Sequence, residues 1–335
     1  MIPDQNRVRL QSYSGSRSER ISFSTLDRAR FVMVNDKPYR GSVEAYARGG
    51  TVTAVNVVGL EAYLRGVVTS EMGSGSRNEL AALEAQAIAS RTYALKNRGR
   101  FREEGYDIRA SVSDQAYLGV ERETPLGVEA VRRTAGLVLT YEGELIAPFF
   151  HSTCGYSTAA PNEAFRAVGP APYLRPVSDR RPAGGYYSDI SPRFRWTVEW
   201  EGSELRDILR RTIPSVLGIE QEMVDEIRNI HVRRRGPSGR VVELWVEVSR
   251  GAIPVFGPDL RQVLATPEGQ PLGSTAIEVS TTKDAGRVER FRVEGTGWGH
   301  GVGMCQWGAV GRARAGQSAH TILATYFPGT RVDRR

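Results

Sequence analysis

The alanine-rich run from Glu79 to Arg98 constrains this chain most, because it can form little other than a helix. With Asn78 as its N-cap it would extend about 30 Å at 1.5 Å per residue. Leu80, Leu83, Ala87, Arg91 and Ala94 follow a 3-4-4-3 spacing, so Arg91 sits on the apolar stripe that such a helix buries. A charge there needs a partner. Three readings stay open for Arg91: an ion pair with a neighbouring acid, snorkelling, or contact with a substrate or a catalytic carboxylate.

The flanking segments change period. Val43 to Val58 holds two β-rich runs joined at Gly49-Gly50, a hairpin pattern. Leu60, Leu64, Val67 and Val68 then mark a helix that ends at Glu71-Met72-Gly73. Residues 137 to 150 read as a second hairpin around Glu142-Gly143, with His151 at its far end, and proline and glycine dominate from Pro161 to Gly185. Phe194 to Trp200 alternates as a half-buried strand and Glu204 to Arg211 as a short helix. Ile227 to Arg233 and Val241 to Ser249 form a strand-turn-strand, Gly257 to Ala265 a short helix, and His320 to Phe327 a terminal one. The expected fold is α+β: hairpins and helices over residues 38–335, carrying a smaller inserted lobe at about 190–290. Residues 1–37 are a polar lead-in, with strand-like alternation at Ile21-Ser22-Phe23-Ser24.

The net charge of +7 is carried almost wholly by arginine, since Lys37, Lys96 and Lys283 are the only lysines. Arginine forks match carboxylate or phosphate, which favours an anionic polymer as partner. Nucleic acid is not expected, because the basic residues are scattered among acids and no zinc-finger, helix-turn-helix or RNP-type pattern occurs. No run approaches the roughly 20 apolar residues of a membrane-spanning helix. Met1 to Leu10 lacks the profile of a secretion signal.

Several constellations can carry chemistry. Glu71 ends an apolar helix beside Gly73-Ser74-Gly75, where a carboxyl can face a cleft and serve as a proton donor; a solvated helix end is the plainer alternative. Ser113-Asp114-Gln115-Ala116-Tyr117 offers a carboxylate, an amide and a phenol suited to sugar hydroxyls and acetamido groups, although turn chemistry explains Asp114 equally well. His151-Ser152-Thr153-Cys154-Gly155 and the segment Gly297 to Gly308 hold two of the four histidines and both cysteines. The second has five glycines in twelve residues, as a backbone does that must come close to something. If the two segments meet, His151, Cys154, His300 and Cys305 can bind zinc, the cysteines can form a disulfide, or they stay free. A Ser-His-Asp triad from Ser152, a histidine and Asp114 lacks a Gly-x-Ser-x-Gly elbow, and no Gly-Lys-Ser/Thr follows the glycines to hold phosphate.

In order along the chain, Tyr39-Arg40-Gly41-Ser42, Leu60-Glu61-Ala62-Tyr63-Leu64-Arg65-Gly66-Val67-Val68, Ser70-Glu71-Met72 and Glu84 to Ala94 resemble the SpoIID/LytB family. So do Asp114-Gln115-Ala116-Tyr117-Leu118-Gly119, His151 to Gly155, Gly297 to Met304, Gln306-Trp307-Gly308-Ala309 and Tyr326-Phe327-Pro328-Gly329. Departures are Gly73 where proline is common, Tyr156 for a second glycine, and Cys305 for serine.

The resemblance implies lytic transglycosylation of peptidoglycan glycan strands, preferably stripped of stem peptides, with Glu71 as the single acid/base. No cofactor and no metal are expected in that chemistry. Arg91, Asp114, Gln115, Tyr117, His151, Ser152, His300 and Gln306 would bind substrate, with Arg91 pairing to muramic lactyl carboxylates. Some family members modify a cell-wall amidase instead, so an amidase is a second expected partner, and an extracytoplasmic location, in cell wall or periplasm, is implied.

Overall fold

The computed structural model describes residues 2–4, 7–9, 17–27, 30–111 and 113–335. Part of the lead-in, including much of Met1 to Leu10, thus lies outside the described residues. The fold mixes helices and small sheets, an α+β architecture. It divides into two compact units, residues 1–147 with 332–335, and residues 148–331.

In the first unit Ser42–Arg48 and Thr51–Val57 pair antiparallel through the Gly49-Gly50 turn, where both residues have positive φ. Arg20–Phe23 adds a third strand, Ile21 opposite Ala45 and Phe23 opposite Val43, which anchors this part of the lead-in to the sheet. Three helices follow: α1 (Leu60–Met72), α2 (Leu80–Lys96) and α3 (Pro125–Arg133). Leu64, Val68, Leu80, Leu83, Ala87, Ala130 and Val131 form their common core.

The alanine-rich run is the helix expected, with differences at its ends. A 3-10 turn over Arg77–Glu79 precedes α2, and the Ser76 amide donates to Glu79 Oε2 at 2.7 Å, so the chain enters through Ser76 rather than Asn78. It stops at Lys96 because the Asn97 side chain turns back to the Tyr93 carbonyl at 2.9 Å. Thirteen of its seventeen residues are buried, so the stripe through Arg91 is one side of a helix enclosed almost all round.

The second hairpin is shorter than expected. Leu137–Tyr141 pairs with Glu144–Leu145 across Glu142 and Gly143, both at positive φ, and with Arg331–Arg334 on its other edge. Phe150–His151 lies outside that sheet and pairs parallel with Met304–Cys305 in the second unit. The loop expected from Pro161 to Gly185 contains one helical turn, α4 (Pro161–Ala164).

The second unit holds two three-stranded antiparallel sheets. One orders Arg195–Glu201, Arg287–Thr296 and Ile277–Asp284; the other orders Ile227–Arg235, Val241–Val248 and Gly251–Phe256. Helices α5 (Gly202–Leu217) and α6 (Gly257–Val263) cover them, and Trp200, Leu209, Ile213, Leu244, Phe291 and Val293 are among the core residues. Helix α5 runs past Arg211 and contains Pro214, because Ile213 still packs into that core. The cored segment is close to the 190–290 lobe, whereas the compact unit containing it begins at Pro148. Helices α7 (Gln306–Arg314) and α8 (Ala319–Tyr326) close the unit.

Candidate functional site

Glu71 occupies the last turn of α1, half-buried, where Gly73 at φ +77° ends the helix. Its Oε1 accepts the Ala116 amide at 2.6 Å, so the carboxyl is oriented by backbone. The segment carrying that amide is fastened on both sides. Tyr63, two turns earlier on α1, donates its hydroxyl to Gln115 Oε1 at 3.0 Å, and Gln115 Nε2 donates to the Ser90 carbonyl on α2 at 3.3 Å. Tyr93 and Arg100 both donate to Asp114 Oδ1 at 2.8 Å, and the Arg109 amide donates to Oδ2 at 3.0 Å. Tyr117 donates to Asn56 Oδ1 at 2.8 Å. Burial, and behind it the charge of Glu71, hold the Tyr63 phenol above its ordinary range, so it remains a proton donor.

These contacts engage Asp114 and Gln115 with the protein itself, whereas Tyr117, bonded to Asn56, also lines a groove in this unit. Gln115 is fully buried, Tyr117 is buried, and the oxygens of Asp114 are already engaged. They position the Ala116 amide against Glu71.

The backbone approach has its own signature at Gly66 on α1, where a Cβ would lie 2.6 Å from the Gly119 carbonyl and 2.9 Å from the Tyr117 ring. Gly66→Ala is therefore expected to cost about 1–3 kcal/mol by overpacking and to displace the 116–119 segment, read as a lower urea midpoint at unchanged m-value.

Arg91 is engaged within the protein as well. Its side chain is 1% exposed and forks onto Glu61 of α1, Nε to Oε1 at 2.6 Å and Nη2 to Oε2 at 2.7 Å. Nη1 donates to the Leu137 carbonyl at 3.1 Å. This is the ion-pair alternative, and it ties α1, α2 and the following strand together. A guanidinium so enclosed does not reach a ligand.

A groove of about 1000 Å³ opens in the first unit, lined among others by Asn56, Tyr63, Tyr117, Arg98, Arg102 and Arg109. Arg98 and Arg102 make no ion pair with the described residues. Glu71 is not among the lining residues, although Tyr63, which fastens the Glu71 loop, is.

The remaining expected residues gather in the second unit. The strand Phe150–His151 lies beside Met304–Cys305, and Thr153 bridges Trp298. The glycines let this happen: a Cβ at Gly303, which has φ +73°, would meet the Phe149 carbonyl at 2.0 Å, and one at Gly297 the Thr153 carbonyl at 2.6 Å. His151 and His300 stand 5.5 Å apart between ring centres.

Both nitrogens of His300 are engaged, Nε2 with the Phe150 carbonyl at 2.8 Å and Nδ1 with the Val302 amide at 3.1 Å. Burial lowers its pKa to about 4, and burial likewise holds that of His151 well below the ordinary histidine value, so both rings are neutral near pH 7. Ser152 is half-buried, and Gln306, the first residue of α7, is buried. Cys154 and Cys305 are free, buried thiols.

Sequence reading did not single out Glu61, Tyr63, Asn56 and Ala116 as the partners of the candidate residues. Tyr63 and Glu61 stand inside a quoted motif and carried a signal in the α1 register. Ala116 acts through its amide and carries none.

Comparisons place these features among known proteins. A family model described as stage II sporulation protein matches residues 48–141, and one described as a domain of unknown function matches residues 182–303. An uncharacterized protein of Brachyspira hyodysenteriae is 29% identical over 98% of this chain and 80% of its own length. The amidase enhancer of Bacillus subtilis is 28% identical over 80% of this chain, which spans 40% of that protein. The stage II sporulation protein D of the same organism is 26% identical over 83% of this chain and 76% of its own length.

Proposed function

Because the chain belongs to the SpoIID/LytB family, we propose that it acts on the cell wall and cleaves peptidoglycan glycan strands by lytic transglycosylation, with Glu71 as sole acid/base. The observation that carries this reading is the carboxyl of Glu71, half-buried at a helix end and oriented by the Ala116 amide at 2.6 Å. The acid of the segment that carries the Ala116 amide, Asp114, is committed to Tyr93, Arg100 and the Arg109 amide. Hydrolysis by the usual route asks for two carboxyl groups, whereas intramolecular attack asks for one.

Glu71 gives its proton to the oxygen between N-acetylmuramic acid and N-acetylglucosamine, and the bond from that oxygen to the muramic C1 breaks. The carboxylate then takes the proton of the muramic 6-hydroxyl as its oxygen closes on C1, leaving a 1,6-anhydro sugar and a protonated Glu71. The pairing with lactyl carboxylates passes from Arg91 to Arg98 and Arg102, which line the groove without acidic partners among the described residues.

Incubation with peptide-stripped glycan tests this. The protein alone is expected to release anhydro-muramic ends detectable by mass spectrometry. A second reading is favoured by the relative named amidase enhancer: the chain would then release no such ends, and would instead raise stem-peptide release by an added cell-wall amidase.

A further inference from the structure

The chemistry proposed for Glu71 uses neither cysteine and leaves a buried group in the second unit without a task. A ring nitrogen of His151 and the sulfurs of Cys154 and Cys305 all lie within 4.8 Å of one another, and all three residues are buried. We propose that these three residues bind one thiophilic d10 metal ion, zinc or copper(I), as a structural clasp between the segment from Phe150 to Cys154 and the start of α7.

His151 and Cys305 are prepared for that task by their neighbours. His151 Nδ1 stands 3.2 Å from the Val302 carbonyl, which can only accept, so the ring proton sits on Nδ1. Nε2 is then a lone pair, buried and without a hydrogen-bond partner among the described residues. A carbonyl holding the far nitrogen is the arrangement that orients metal-bound histidines. The same residue is fixed from its other side, since the Val302 amide donates to His300 Nδ1. That contact, with the bond from His300 Nε2 to Phe150, removes His300 from the ligand set and makes it a support.

Cys305 Sγ accepts two backbone amides, Cys154 at 3.1 Å and Gly308 at 3.2 Å, and stands at the N-cap of α7. Two converging N–H groups and the positive end of a helix suit a thiolate, the form in which sulfur binds metal. Thiolate and imidazole select zinc or copper(I) over calcium and magnesium, which take oxygen donors. A tetrahedral zinc with bonds of about 2.3 Å to sulfur and about 2.0 Å to nitrogen spaces its ligands roughly 3.5–3.8 Å apart. The present cluster, with its ligand atoms within 4.8 Å of one another, contracts by about 1 Å to reach that size. Three donors suffice for three-coordinate copper(I), and zinc adds a fourth donor. The site is enclosed, so the ion holds chain segments together rather than meeting a substrate.

The full chain, reduced and stripped with a chelator, is titrated anaerobically with Co2+ as a spectroscopic stand-in for zinc, then with Zn2+ and with Cu+ in separate arms against competing chromophoric chelators. One equivalent is expected to bind, with a thiolate-to-cobalt charge-transfer band in the near ultraviolet. The tighter arm identifies the ion. His151→Gln should lose the band while His151→Cys keeps it, a rescue that a packing role would not give. Failure of the wild-type chain to take up any of the three ions with both thiols free overturns the proposal. So does uptake without a sulfur band, or a Cys154–Cys305 disulfide persisting in the chain as purified.

Discussion

Glu71→Gln is expected to lower the release of anhydro-muramic ends by about 10²–10⁴-fold, the usual contribution of a positioned acid/base, with little change in unfolding midpoint. The variant is informative because so little else changes. A glutamine side-chain oxygen can still accept the Ala116 amide that Glu71 Oε1 accepts at 2.6 Å, so the helix end and the 113–118 segment keep their tie. Only the transferable proton is lost. Glycan pull-down at wild-type strength with cleavage abolished would separate chemistry from binding, since the arginines of the groove are untouched.

The largest stability effect is expected at the other acid of α1. Glu61→Ala leaves the Arg91 guanidinium, 1% exposed, with only backbone carbonyls such as that of Leu137 at 3.1 Å. Removing one member of a buried pair costs about 3–5 kcal/mol. The Glu61 side chain is 40% exposed, so water can reach the vacated position, and a loss near the lower figure, about 3 kcal/mol, is expected in urea unfolding. Arg91→Met combined with Glu61→Leu should recover most of it, because an apolar pair of similar volume satisfies the same space. Equal losses in the single and double variants would show that the two residues do not act as a pair.

Much of the architecture was readable from local pattern. The Ala-rich helix, the Gly49-Gly50 hairpin, and the alternation from Arg195 to Glu201 each carry their own period and punctuation, and each formed within a few residues of its expected bounds. What could not be read was where side chains go once elements pack. Arg91 pairs with an acid thirty residues earlier on a neighbouring helix, and helical spacing alone places no second helix beside it.

The carboxylate and amide of Asp114 and Gln115 look the same whether they face a sugar or a helix, and packing between α1 and α2 decided for the helix. Residues 137 to 150 read as one hairpin because the apolar runs continue past Ala147, whereas Phe150–His151 pairs with residues 304 and 305 far along the chain.

The most direct measurement is cleavage of peptide-stripped glycan in water enriched in 18O. If the muramic 6-hydroxyl is the nucleophile under Glu71, the new muramic ends are anhydro sugars carrying no label. Ends that are reducing and labelled would mean that water attacks, and would contradict a lone carboxyl serving as both acid and base.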